Sequence, residues 1–219
     1  MSGSKSWSPD DFHLGAEVRS SDGRTIGKLH RLLVGAADYG LKALVVKEGR
    51  EFSGHLLSPG SMLLADELVV PRQAISTVAH ELIELHIAAQ AARRLHPYLS
   101  YRYEAESAGE ELSDLGSALG ASPSIPGSIE EVAHKPASEL EIEAGENVML
   151  GRTGRKLGEV KDVLFDGEDL VGVVLLPQGL LQHEVILPRR FLQRSDDLAL
   201  FAELGEEDLE HLEPFRPDD

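Results

Sequence analysis

The chain has 219 residues, 42% of them hydrophobic, a mean hydropathy of -0.16 and no cysteine. That composition fits a soluble globular protein of one large or two small domains, and it excludes disulfides, thiolate metal sites and cysteine nucleophiles. The formal net charge of -17 disfavours generic binding to nucleic-acid phosphates or to anionic lipid.

Residues 15–20 read as a short strand that runs into Ser21–Lys28, SDGRTIGK. The glycine, glycine, lysine order there resembles a phosphate-binding loop. Such a loop needs four residues between its glycines and a hydroxyl after its lysine, whereas here three intervene and Leu29 follows. Asp22-Gly23 between alternating apolar positions instead predicts a two-residue hairpin turn with Gly23 at positive φ. Further strands are expected over 25–34, 41–47, 68–70 (ending at Pro71) and 81–87. A short helix over AAQAARRL follows, closed by Pro97 and the aromatic Tyr98.

Residues 99–142 are acidic, rich in Ser, Gly, Ala and Pro, and poor in bulky apolar residues, which is the composition of a largely disordered linker. Residues 104–138 are expected to be cut first by proteases. Within them, Leu112, Leu115 and Leu119 share one side of a marginal amphipathic helix.

After the linker the first pattern returns. GENVMLGRTGRKLGEVKDVLF from Gly145 lies over GAEVRSSDGRTIGKLHRLLV from Gly15, so Thr153-Gly154 answers Asp22-Gly23 and Gly158 answers Gly27. ELVVPRQAISTVAHELIELHIAAQAARRLHPY, ending at Tyr98, lies without a gap over EVILPRRFLQRSDDLALFAELGEEDLEHLEPF, ending at Phe215, which pairs Pro71 with Pro188 and Pro97 with Pro214. The lysine of the opening stretch becomes Glu159 in the copy, which argues against a phosphate site; the turn glycines persist. Strands are expected over 147–150, 156–165, 170–176, 184–187 and 198–202, with a closing helix over EEDLEHL. Short strands at this spacing without helical crossovers predict a mainly β protein: two small antiparallel β-barrels in tandem, at 12–98 and 143–216, each closed by a short helix. Tyr98 and Phe215 are expected to pack back onto their barrels.

The hairpin, the Ile/Leu-Gly-Lys/Glu step, the apolar strands LHRLLV and VKDVLF, and the later apolar strand running into proline together resemble the PRC-barrel family, in two copies. The resemblance implies a small β-barrel shared by the cytoplasmic domain of the photosynthetic reaction-centre H subunit, the C-terminal domain of a small-ribosomal-subunit maturation factor and many stand-alone bacterial proteins. It implies binding to other proteins and brings no shared catalytic set. The membrane helix of the first relative and the RNA-processing domain of the second are missing here, so neither specific function is expected.

The residues themselves offer little chemistry. None of the nine histidines forms an H-E-x-x-H or another metal pattern, and no serine sits in a G-x-S-x-G elbow. His80, Glu84 and His86 share strand parity, which alternation alone predicts for an exposed face. The sequence therefore calls for no catalytic residue, metal or cofactor. Residues 1–98 carry 11 basic and 11 acidic residues, 99–142 carry 2 and 9, and 143–219 carry 8 and 18. This unevenness suggests that the linker and second copy steer a basic protein partner, while the neutral first copy packs against the second or against another copy of the chain. The expected function is a non-enzymatic, cytoplasmic protein-interaction or regulatory module without a membrane span. The alternatives are a small-molecule site or an enzyme in the groove between the barrels, and a ribosome-maturation-linked adaptor.

Overall fold

The computed structural model describes residues 12–49, 52, 67–79, 81–98, 138–177, 183–196 and 198–216. The chain is mainly β, with two sheets that follow the two copies. The first contains β1 (Glu17–Arg19), β2 (Thr25–Gly35), β3 (Leu41–Glu48), β4 (Glu67–Pro71), β5 (Ile75–Ala79), β6 (Leu82–Leu85) and β7 (Glu139–Glu143). The second contains β8 (Asn147–Leu150), β9 (Lys156–Asp166), β10 (Asp169–Pro177), β11 (Val185–Pro188), β12 (Leu192–Ser195), β13 (Ala199–Ala202) and β14 (Glu213–Pro214). Two short helices, α1 (Ala89–Ala92) and α2 (Glu206–Glu210), stand where the closing helices were expected.

Three features depart from the tandem antiparallel barrels read from sequence. The sheets are mixed: β1 pairs with β6, and β8 with β13, in parallel. The long path through the intervening strands brings the chain back in the same direction, which a tight turn could not do. The strand order in the first sheet is β4-β3-β2-β1-β6-β5, and among the described residues no ladder joins the end strands β4 and β5. They are joined instead through the backbone, by a 3-10 turn at Arg72–Ala74, matched by Arg189–Phe191 in the second half. Pro71 and Pro188, with φ of -65° and -61°, end the preceding strands and set these turns.

The third departure is at the linker. Residues 99–137, with the protease-sensitive stretch to 137 and the Leu112 helix, lie outside the described residues. Residues 139–142, read as linker, are instead strand: β7 pairs antiparallel with β2, from Arg31↔Glu143 to Gly35↔Glu139. β3 takes one edge of β2, so β1 and β7 share the other edge end to end. The reason is the alternation of ELEIE: Leu140 and Ile142 are fully buried, and the intervening Glu141 finds an ionic partner.

The segment leading into the first copy occupies the matching place on β9. The Leu14 amide donates to the Asp162 carboxylate at 3.1 Å, and the Phe12 ring meets the Phe165 ring edge-on at 5.0 Å. Each half therefore receives the leading arm of the other. One apolar cluster runs through both, from Phe12, Val18, Ile26 and Leu44 to Ile142, Val163, Leu175 and Leu200. The hairpins add a reciprocal clasp, in which Leu41 N–H donates to Glu168 O and Leu170 N–H to Tyr39 O.

Candidate functional site

The repeated positions named from sequence are distributed through the frame. Gly23 (φ 77°) and Gly154 (φ 64°) adopt the positive φ expected of them. The turns, however, are longer than two residues. In the first, Gly23 N–H bonds Ser20 O and Ser20 N–H bonds Arg24 O, closing a three-residue loop; the second spans Gly151–Gly154, with Gly154 N–H on Leu150 O. Asp22 accepts from the Ser20 hydroxyl at 2.6 Å and from the Ala89 N–H at 3.0 Å, so the hairpin caps α1; these bonds lower its pKa, Ser20 contributing most. Thr153 accepts the Arg155 N–H instead. Gly27 and Gly158 lie inside strands, where an added Cβ would stand 2.0 Å from Lys47 O and 2.3 Å from Leu176 O. Only glycine permits that approach.

Pro97 bridges to Leu68, and Pro214 pairs with Val185, at matching positions of the two halves. They deliver Tyr98 and Phe215 to the outer faces of the sheets. Tyr98 completes a cluster with Leu33, Ala43, Val45 and Val69; Phe215 packs on Leu164, Val174 and Ile186. A cation lies over each ring: Arg31 at 5.2 Å from Tyr98 and Lys161 at 5.7 Å from Phe215.

Among the described residues, a cluster of ion pairs that the sequence reading does not contain surrounds that first cation. A bulge in β2, with Leu29 and Arg31 opposite adjacent residues of β3, leaves His30 as the extra residue beside Arg31. His30 Nδ1 lies 2.7 Å from Glu67 and its Nε2 lies 3.1 Å from Glu143. Hydrogen bonds to Glu143, then Glu67, push its pKa up to about 9, and His30 in turn holds Glu143 below the usual carboxylate range. Arg31 donates to Glu141 at 2.6 Å and approaches Glu143 at 3.3 Å. The Glu141 amide donates to Ser195 Oγ at 2.9 Å, which ties β7 to β12. The corresponding bulge in β9 presents Lys161, 2.7 Å from Glu184. The signal that marks these residues in sequence is the charged pair interrupting otherwise apolar strands, His-Arg in LHRLLV and Lys-Asp in VKDVLF.

Among the described residues, two of the cavities bear on this frame. A cleft of about 210 Å3 lies beside the cluster and collects Arg31, Glu141, Glu143, Glu146, Asn147 and Asp196. A larger groove of about 670 Å3 opens on the outer face of the second half. Its floor is Val171, Ile186, Phe191 and Leu212, and its walls are the β9–β10 turn, the turn after Pro188, and α2 with β14. Arg189, on that wall, donates to Leu170 O at 3.0 Å and lies over Tyr39 at 5.5 Å, joining the halves; its counterpart Arg72 pairs with Glu168.

Among the described residues no three His, Asp or Glu side chains are grouped to hold a metal ion, and no helix is long and apolar enough to cross a membrane. His80 lies outside the described residues; Glu84 accepts from the Thr77 hydroxyl, and His86 is exposed. No family model matches the chain, and no curated protein matches it.

Proposed function

We propose that this chain is a non-enzymatic protein-interaction or regulatory module of the bacterial cytoplasm, built from two PRC-barrel-like halves fused by exchange of their leading arms. The observation that carries this reading is the unlike charge on a like frame. The halves match in strand order, prolines, bulges and ring-over-sheet contacts, yet 143–219 carry 18 acidic against 8 basic residues while 1–98 are balanced. Folding of the second half does not demand that excess, because the first half is built on the same frame without it. Charge of one sign on a surface acts mainly on encounter with a partner of opposite sign.

The small-molecule or enzymatic alternative would use the 210 Å3 cleft between the halves. Its basic group, Arg31, is committed to Glu141 and Glu143, which leaves little to hold a ligand. The test of the interaction reading is purification of the tagged chain from its native host, identification of the partner by mass spectrometry, and kinetics at two salt concentrations. Salt should slow association and leave dissociation much less affected, since exposed charges are screened beyond about 8 Å at physiological ionic strength. Association indifferent to salt would overturn it, and tight RNA binding would favour the ribosome-linked adaptor.

A further inference from the structure

The 670 Å3 groove combines an apolar floor with a rim of one dominant sign. Asp166 and Asp169 stand on the β9–β10 turn, Asp208 on α2 and Glu213 on β14, against the guanidiniums of Arg189 and Arg190. The two arginines are partly engaged by the protein: Arg189 by Leu170 O and the Tyr39 ring, Arg190 by the Phe191 ring at 4.6 Å. These neutral partners orient the guanidiniums without cancelling their charge, and the four carboxylates outnumber them two to one, so the rim carries a net negative field.

The first half acts as an internal control. In the gapless register that aligns Pro71 with Pro188, Asp208 corresponds to Ala91, Glu213 to His96 and Arg190 to Gln73. Both halves carry the same 3-10 turn after the proline and the same strand pairing beyond the closing helix. The frame is thus made equally well without acids at these places. Asp208 also accepts the Gly205 N–H at 2.8 Å to cap α2, and the side chains of Asp166, Asp169 and Glu213 are solvent-exposed. The volume lies within the range of about 300–1,000 Å3 typical of ligand sites, enough for a few side chains.

We infer that this groove docks a basic peptide segment of a partner protein, with an apolar side chain on the Val171, Ile186 and Leu212 floor and lysine or arginine side chains against Asp166, Asp169 and Glu213. The inference rests on the interaction-module reading and assigns that reading a place and a partner chemistry.

The test is fluorescence anisotropy on the full chain with three short labelled peptides that share one Leu/Phe pattern and are flanked by Lys, Ser or Glu. The Lys peptide should bind about tenfold more tightly than the Ser peptide, and the Glu peptide most weakly. The variant Asp166→Asn/Asp169→Asn/Glu213→Gln should lower Lys-peptide affinity about tenfold. Asp38→Asn/Glu81→Gln/Glu84→Gln, which removes the same charge from the first half, should change it about twofold at most. Equal binding of the Lys and Ser peptides, or equal losses in the two triple variants, would overturn the inference. Neither result would touch the salt dependence of association with a purified partner, on which the broader reading stands.

Discussion

Arg31 and Asp162 occupy the same position in the two halves, the residue after the bulge in the long strand, and they carry opposite charges. Each faces the arm of the other half, and the arms are charge-reversed to match: Arg31 meets Glu141 and Glu143, while Asp162 meets His13. An arm placed on its own half would bring Glu143 to Asp162, like charge on like, and would leave Arg31 without its carboxylate partners. The reversal thus directs each arm across the molecule.

Asp162 accepts from His13 and from the Leu14 and Val163 amides, with its side chain only 14% exposed. Asp162→Arg should cost about 3 kcal/mol, because it removes the acceptor and places a cation beside His13. Adding His13→Glu should restore about half of that loss by re-forming an ion pair of inverted sense. Urea denaturation of the two single variants and the double variant measures the coupling, and additive losses would refute the pairing.

His30 gives stability a dependence on alkaline pH. Its folded pKa of about 9 lies above the unfolded value of 6.5. Its contribution is therefore complete below about pH 6.5 and is lost as pH rises through about 9, amounting to about 2 kcal/mol after allowance for partial exposure. Glu143, held low by His30, acts in the opposite sense: its contribution is present above about 4.5 and is lost as pH falls. Denaturation midpoints should be highest near pH 5–6.5, and His30→Gln should flatten the alkaline limb. An unchanged limb in that variant would locate the titration elsewhere.

The turn glycines and strand glycines should respond differently. Gly23 has open space around its Cβ position, so Gly23→Val costs only the strain of its positive φ, about 1–3 kcal/mol. Gly27→Ala directs a methyl at the Lys47 carbonyl and forces β2 from β3, at a cost of at least about 3 kcal/mol. Thermal melts that reversed this order would contradict both assignments.

The aromatic covers should rank by burial. Tyr98 is 3% exposed and seals its cluster, so Tyr98→Ala should cost about 3 kcal/mol. Phe215 is half-buried beside the two-residue β14, and Phe215→Ala should cost about 1–2 kcal/mol. Equal losses in urea denaturation would refute the ranking by burial.

The strands visible in the sequence are those that declare themselves locally. β2, β3, β9 and β10 are long apolar runs beside glycine turns, and their bounds were legible to within two residues. β5, β7 and β12 were not. ISTVA and LQRS are short and half-polar, and β7 lies in an acidic stretch where its glutamates read as solvated charge. Its strand character depends on β2, more than a hundred positions earlier, which local pattern cannot reveal. The mixed pairing was hidden for the same reason, since β1 and β6 meet in parallel through a long path. The charge cluster required the bulge at His30, which alternation alone does not foretell. The groove needed α2, the turn after Pro188 and the β9–β10 turn to be brought together.

The β2–β7 pairing also sets a timetable for synthesis. Gly35 is joined to Glu139, so at about 5–20 residues per second the strand waits roughly 5–20 s for its last neighbour to be made. Until then the Arg31–Gly35 edge of the nascent chain presents a row of unpaired backbone groups, the template on which growing chains adhere to one another. The last part of the chain to emerge before the pairing is complete, residues 99–142, carries 9 acids against 2 bases, and its like charge on neighbouring nascent chains opposes such adhesion. A message that stops before residue 139 leaves that edge permanently open, so its product should aggregate rather than persist as a smaller folded protein.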